Sequence, residues 1–273
     1  MRRVVVFSFV AAWMALLVEP ARAQVCDTAV VAFKAGQIER AAQLARECID
    51  SGTVSGDAYK LLAICCFLLQ RFDDYLVNMQ KAAELNPADA EVQYHLGRYL
   101  YEVKEYKKAM DHFARAIALD PNNYKASYFL ALCKQGNSDE KGAAEDFRKA
   151  IAIVERKRVS YGWPFADLGD LLALQGDYEG GLSWVYRGTR NDPAQPYVHC
   201  VYARILMNKE PTPEIEQELN KAIKLDPGYT QAYYLLGRYY TKIGDKERAK
   251  VAFAKFDELK NNPVPSPFGV RRQ

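Results

Sequence analysis

The chain has 273 residues, 26% of them charged and 49% hydrophobic, with Lys and Arg exceeding Asp and Glu by three. That balance excludes a chain-wide electrostatic pull toward nucleic acid or anionic lipid. The length permits one large domain or two small ones.

The first element in chain order is a predicted signal peptide over 1–23. Arg2 and Arg3 make a short basic start, and Val4 to Val18 is almost wholly apolar. Glu19-Pro20 then breaks the run, and Ala21-Arg22-Ala23 supplies the small-x-small pattern that a signal peptidase reads. About 15 apolar residues are too few to span a bilayer comfortably, which takes roughly 20; retention as an uncleaved anchor is the alternative. The paired arginines lack the surroundings of a twin-arginine signal. Ala23-Gln24-Val25 lacks the small residue that a lipoprotein signal places directly before its cysteine, here Cys26. The expectation is an exported, soluble chain cleaved after Ala23, with the periplasm as its setting and the extracellular space as the alternative. Without Arg2, Arg3, Arg22 and Glu19 it keeps 34 basic and 33 acidic residues, so no nucleic-acid partner is expected.

From there the chain repeats itself. HLGRYLYEVKEY begins at His95 and LLGRYYTKIGDK at Leu235, and their Leu-Gly-Arg-Tyr runs lie 140 residues apart. A third Leu-Gly, in DLGDLLALQGDY, begins at Leu168, 72 residues after the first. Both separations fit a 34-residue period with four residues left over. Asn86-Pro87, Asp120-Pro121, Asp192-Pro193 and Asp226-Pro227 give the same register, with gaps of 34, 72 and 34. Self-similarity at such a period marks a repeat array, here read as one continuous array. The predicted units are 22–55, 56–89, 90–123, 124–161, 162–195, 196–229 and 230–262, and a mobile tail follows over 263–273.

Within a unit the apolar spacing is helical. Val92, Leu96, Leu100 and Val103 recur at steps of three or four, and Ala109, Met110, Phe113, Ala116 and Ile117 repeat the pattern after a polar turn. Each unit is therefore two short amphipathic helices, ended by the Asn/Asp-Pro because proline disfavours helical geometry in the residue before it. No stretch alternates as an exposed strand would. The four extra residues fall in ERKRVSYGWP, 155–164, as one more helical turn or as a loop. Arg156, Lys157 and Arg158 read as a solvated helix end, where cations suit the dipole.

This pattern resembles the tetratricopeptide repeat. The unit from Ala90 supplies Leu96, Gly97, Leu100, Ala109, Phe113, Ala116 and Pro121 at the family's characteristic positions. The unit from Thr230 supplies Tyr233, Leu236, Gly237, Tyr240, Gly244, Ala249 and Phe253, with Phe256 where alanine is usual. The other units match less fully, the first, 22–55, least of all, with Ala29, Ala32, Gly36 and Ala41. The resemblance implies an all-α, right-handed superhelical solenoid of antiparallel helix pairs, whose first helices line a groove that holds a peptide or a partner's segment.

On a helical wheel, positions 2, 5, 9 and 12 of each first helix form one stripe away from the core positions. Here that stripe reads Lys60, Tyr94, Arg98, Tyr101, Lys125, Tyr128, Trp163, Asp170, Tyr197, Arg204, Tyr234 and Arg238. Aromatic residues and arginine are enriched at binding hot spots, so these are the candidate groove residues. The alternative is that repeats copied from an ancestor share surface residues without purpose. The arginines are expected to be accessible and to favour acidic, partly apolar ligands. The family's chaperone-binding carboxylate clamp does not fit, since Tyr94, Arg98 and Phe129 stand at its places.

The six cysteines are Cys26, Cys48, Cys65, Cys66, Cys133 and Cys200, which allow fifteen full connectivities in an oxidising compartment. Cys26 and Cys48 sit at positions 5 and 27 of the first unit, placed to staple that weak repeat, while Cys66 falls at a core position. Catalytic motifs are lacking. His95, His112 and His199 have no metal-ligand spacing, and neither a phosphate loop nor a GxSxG elbow is present. His199-Cys200 are neighbours on a helix and point about 100° apart. No enzyme activity, cofactor or metal is expected. The sequence reads as an exported protein–protein interaction scaffold, or alternatively as a regulatory or accessory subunit of a cell-envelope enzyme or secretion and assembly machinery.

Overall fold

The computed structural model of the chain describes residues 25–52 and 55–262; the expected signal peptide over 1–23 and tail over 263–273 lie outside these residues. The described residues are all helix and turn, with no strand among them. They fall into two compact units, one ending at Asn122 and the other beginning at Asn123, one residue from the boundary between the predicted repeats 90–123 and 124–161, where the sequence reads as one continuous array. The first unit holds α1 (25–34 as described), α2 (Ile38–Asp50), α3 (Gly56–Leu68), α4 (Phe72–Leu85), α5 (Ala90–Glu102) and α6 (Tyr106–Leu119). The second holds α7 (Tyr124–Gly136), α8 (Glu140–Lys157), α9 (Trp163–Leu174), α10 (Tyr178–Asn191), α11 (Pro196–Leu206), α12 (Pro213–Leu225), α13 (Thr230–Lys242) and α14 (Lys246–Asn261). Odd-numbered helices are the first and even-numbered the second of each pair, and partners within a pair pack on one another.

In six of the seven pairs, all but α11 with α12, the turn is tight because position 15 of the repeat adopts the left-handed region. Gly36, Gly176 and Gly244 do so, with φ of 75°, 92° and 81°. Gln70, Lys104 and Ser138 hold the same place at φ of 59°, 63° and 64°, where a side chain is strained. The second helices α4, α6, α10 and α12 all stop at or just before Asn86, Asp120, Asp192 and Asp226, the residues that precede proline. In the unit that starts at Tyr124, Glu155 replaces that proline. There α8 runs for 18 residues against 14 in α4, α6 and α10, so the four extra residues are one more turn of helix. It ends at Arg158 in the left-handed conformation.

Small residues set the distance between paired helices. Ala109, Phe113 and Ala116 are wholly buried, and a Cβ at Gly97 would lie 2.8 Å from the Phe113 ring. Between α9 and α10 backbone meets backbone, since a Cβ at Gly169 would lie 2.6 Å from the Gly181 carbonyl oxygen. In the first pair Cys26 and Cys48 are disulfide-bonded across α1 and α2, with a Cα–Cα distance of 5.2 Å. Cys65, Cys66, Cys133 and Cys200 are buried free thiols.

Successive pairs are joined by a polar device that the family pattern does not suggest. The side chain at position 4 donates a hydrogen bond to the carbonyl of the preceding pair's closing proline. Gln93 Nε2 reaches Pro87 O at 3.4 Å, His199 Nε2 reaches Pro193 O at 2.9 Å, and Tyr233 Oη reaches Pro227 O at 3.2 Å. Position 23 of the same repeat completes the link in two cases. His112 Nδ1 lies 2.9 Å from Gln93 Oε1, and His199 Nδ1 lies 2.6 Å from Glu218 Oε2.

Candidate functional site

In the first unit the candidate residues sit on α3 and α5. Asp89 caps α5 by accepting from the backbone N–H groups of Glu91 and Val92. The Lys60 ammonium from α3 lies 2.7 Å from Asp89, 3.3 Å from Glu91 and 3.4 Å from Asp57. Burial lowers the affinity of this amine for its proton, but the Asp89 and Glu91 carboxylates outweigh it and hold the amine above the usual lysine range. Lys60 thus joins the two first helices. Tyr94, Arg98 and Tyr101 follow at helical steps along α5. The half-buried Arg98 guanidinium donates to the Tyr94 hydroxyl at 3.3 Å and to Glu102 at 3.2 Å. The Tyr94 ring lies 6.2 Å from Phe113, and Tyr101 packs on Tyr106 at 5.8 Å.

In the second unit the extended α8 and the residues after it build an aromatic cluster. Asn191 and Asp192, at the end of α10, hold the backbone that follows. Asn191 bonds the Tyr161 N–H and the Val159 carbonyl, and Asp192 bonds the Gly162 N–H. Tyr161 is thereby placed 5.0 Å from Tyr124 and 5.6 Å from Tyr128. Trp163 at the start of α9 stacks on Tyr197 at the start of α11, with centroids 4.6 Å apart and planes 21° from parallel. Beneath them Asp167 is 6% exposed and accepts from both the Tyr128 and Tyr197 hydroxyls, the former at 2.6 Å. Three first helices are pinned through one carboxylate.

Further along the same faces, Asp170 of α9 pairs with Arg204 of α11 at 2.8 Å. Burial holds the Asp170 carboxyl above its usual range, with Arg204 opposing the shift. On α13 the exposed Arg238 lies over the half-buried Tyr234 ring, 5.9 Å from its centroid. Lys125 is exposed on α7.

Two expectations need correction. Tyr128 is 1% exposed and not a groove residue, because Tyr161 and Asp167 cover the face that repeat position 5 would present. Arg98 and Arg204 are not open cations, since Glu102 and Asp170 already engage them. Sequence reasoning also missed Asp167 and Tyr161. An acidic residue at position 6 of its repeat, inside the apolar run WPFADLGDLL, was the signal for Asp167. Tyr161 lies in the inserted turn and had no repeat position to announce it.

Catalytic machinery does not assemble around His199-Cys200. Both His199 ring nitrogens are engaged by Pro193 and Glu218, and burial pushes the Cys200 thiol up to about 12. Among the described residues no cluster of three or more His, Cys, Asp or Glu is arranged to hold a metal, and no helix is long and apolar enough to cross a membrane.

Residues 90–123 and 218–251 match two tetratricopeptide-repeat family profiles. The chain is 24% identical over 201 residues to the BBSome complex member BBS4 of Bos taurus, covering 72% of this chain and 38% of that protein. It is 23% identical over 209 residues to anaphase-promoting complex subunit 3 of Schizosaccharomyces pombe, covering 76% and 30%. It spans less than two-fifths of the length of these relatives. Among solved structures it is similar to pilF of Pseudomonas aeruginosa, with a TM-score of 0.65 and 18% identity over 79% of this chain and 96% of that one. A tetratricopeptide-repeat protein from Parabacteroides merdae gives a TM-score of 0.68 and 15% identity over 89% and 95%. At these identities the likeness is one of fold. Proteins of such repeats are generally non-catalytic, and they bind protein partners. The chain carries tetratricopeptide repeats at 90–123 and 218–251 on a fold shared with tetratricopeptide-repeat proteins, a scaffold for protein–protein interaction.

Proposed function

We propose that the chain is an exported scaffold that binds an extended segment of a partner protein on the first-helix face of its second unit. The observation that carries this reading is the Trp163–Tyr197 stack, in which Asp167 holds the Tyr197 hydroxyl, together with the Asp170–Arg204 pair on the same two first helices. Half-exposed rings supply apolar contact area at low entropic cost, and the ion pair beside them offers one donor group and one acceptor group to a passing backbone. Preorganisation by a buried carboxylate means that little side-chain order is lost on binding. Export is supported by the basic-apolar-small pattern of 1–23 and by the Cys26–Cys48 disulfide, which suits an oxidising compartment. Membership of a larger assembly is the second reading. It is favoured by the relatives that are named as members of complexes, and it makes the chain an accessory subunit of envelope machinery.

Panning a peptide library against the parent and a Trp163→Ala, Tyr197→Ala, Arg238→Ala variant tests the binding reading. Peptides selected by the parent should fail on the variant while helical circular dichroism stays unchanged; equal capture by both proteins refutes the site. N-terminal sequencing of the protein made in a bacterial host tests export. A mature end at Gln24 is expected, and an intact Met1 on cytoplasmic protein refutes cleavage.

A further inference from the structure

Each unit contains a cleft between consecutive second helices, bridged by the first helix between them. In the first unit it lies between α4 and α6 over α5, about 610 Å³, and in the second between α10 and α12 over α11, about 500 Å³. The two share one frame. Position 4, Gln93 or His199, forms the floor with its bonds to the closing proline and to position 23. Neither cleft shares a residue with the first-helix stripe.

Their walls differ in chemistry at equal repeat positions. Position 25 is Gln80 in the first cleft and Tyr186 in the second, and position 29 is Glu84 in the first and Arg190 in the second. Tyr186 is 49% exposed, and its ring lies 6.2 Å from Tyr202, which forms a continuous aromatic wall. The carboxylates of the second cleft are already engaged. Glu218 is held by His199 and by Lys221 at 2.6 Å, and Glu214 accepts from the Tyr202 hydroxyl at 3.2 Å. Arg190 and Lys224 remain, both exposed, and no carboxylate among the described residues pairs with either. An aromatic wall rimmed by two uncompensated cations has one complement: carboxylates spaced around an apolar side chain.

We infer that the cleft between α10 and α12 is a second docking site, separate from the first-helix face, for an acidic partner segment that carries an aromatic or large aliphatic residue between its carboxylates. The apolar side chain lies against Tyr186 and Tyr202, while the flanking carboxylates pair with Arg190 and Lys224. The matching cleft of the first unit has Gln80 and Glu84 at the places of Tyr186 and Arg190, and so lacks the aromatic wall and the rim cation that the segment would meet there.

The test is fluorescence anisotropy on the full chain with a fluorescein-labelled peptide of two glutamates on either side of a phenylalanine. Binding is expected to weaken with added salt, because the charges are exposed. Arg190→Glu with Lys224→Glu should weaken binding about tenfold or more, the combined effect of two exposed ion pairs turned repulsive. Trp163→Ala with Arg238→Ala should leave it unchanged, and carbodiimide crosslinking should join the peptide to Lys221 or Lys224. Absence of binding, equal affinity in the charge-reversed variant, or crosslinks confined to other lysines overturns the inference. Loss in the Trp163 and Arg238 variant overturns it as well and assigns the peptide to the first-helix face instead.

Discussion

Replacing His199 tests whether the proline-carbonyl link is an energetic joint between repeats. His199 is 4% exposed and Glu218 7% exposed, so little water is available to replace a lost partner. In His199→Leu the Pro193 carbonyl loses its side-chain donor, and Glu218 keeps Lys221 but loses its shortest buried contact. A buried acceptor left unsatisfied costs about 1–3 kcal/mol, and more when it is charged, so the variant should lose roughly 2–4 kcal/mol. His199→Gln should lose about 1 kcal/mol less than the Leu variant, because its amide can donate to Pro193 as Gln93 does to Pro87 but leaves Glu218 without a donor at that place. Urea unfolding of both variants at neutral pH measures the difference.

The same variants carry a pH signature. Burial pushes the Glu218 carboxyl up, but hydrogen bonds from His199 and Lys221 outweigh it and hold the group below its usual 4.5. A depressed carboxyl contributes stability that is fully present above its unfolded value and is lost as pH falls through the folded one. The parent should therefore lose this share of stability only below about pH 4.5, and His199→Leu should lose less of it there. A Leu variant as stable as the parent, or a Gln variant as damaged as the Leu variant, would refute the joint.

Three further outcomes follow from the fold. Gly169→Ala should cost about 1–3 kcal/mol in thermal or urea unfolding, although alanine favours helix by about 1 kcal/mol, because its Cβ would meet the backbone oxygen of Gly181. Lys104→Gly should stabilise the first unit by up to about 1 kcal/mol, since it relieves a left-handed residue that carries a side chain. Reducing the Cys26–Cys48 disulfide, which closes 22 residues, should cost about 3 kcal/mol in the first unit alone. In the same experiment thiol labelling should stay slow at Cys133 and Cys200, whose thiols burial pushes up to about 12.

Most of the fold was legible because it repeats. Register, turns and helix pairs all follow from Leu-Gly and Asn/Asp-Pro recurring together, and chance does not align two such features. The fate of the four inserted residues was not legible, since a longer helix and a loop satisfy the same period. What decides it is Glu155, which stands where other units have the proline that stops the helix. Position 15 was only half legible. The backbone needs the left-handed region there, whether the residue is Gly176 or Lys104, because the turn is imposed by the packing of the two helices.

The candidate surface was legible position by position and failed where one repeat acts on the next. Adjacent first helices bring equal positions side by side, so position 9 of one unit meets position 9 of its neighbour. Asp170 and Arg204 are 34 residues apart and pair for that reason. The next position 9 is Arg238, and its neighbour along the array is Arg204, a cation already held by Asp170. Among the described residues Arg238 consequently has no carboxylate to neutralise it, and it rests on Tyr234 instead. Of the three arginines in the stripe, it alone offers an open charge. Arg204→Ala should therefore weaken the fold, because it strands the Asp170 carboxylate, whereas Arg238→Ala should leave stability within about 0.5 kcal/mol of the parent, as for other exposed side chains. The Arg238 variant should instead lose the salt-sensitive part of any acidic ligand's binding. If Arg204→Ala unfolds at the parent's urea midpoint while Arg238→Ala lowers it, the pairing along position 9 does not govern this surface.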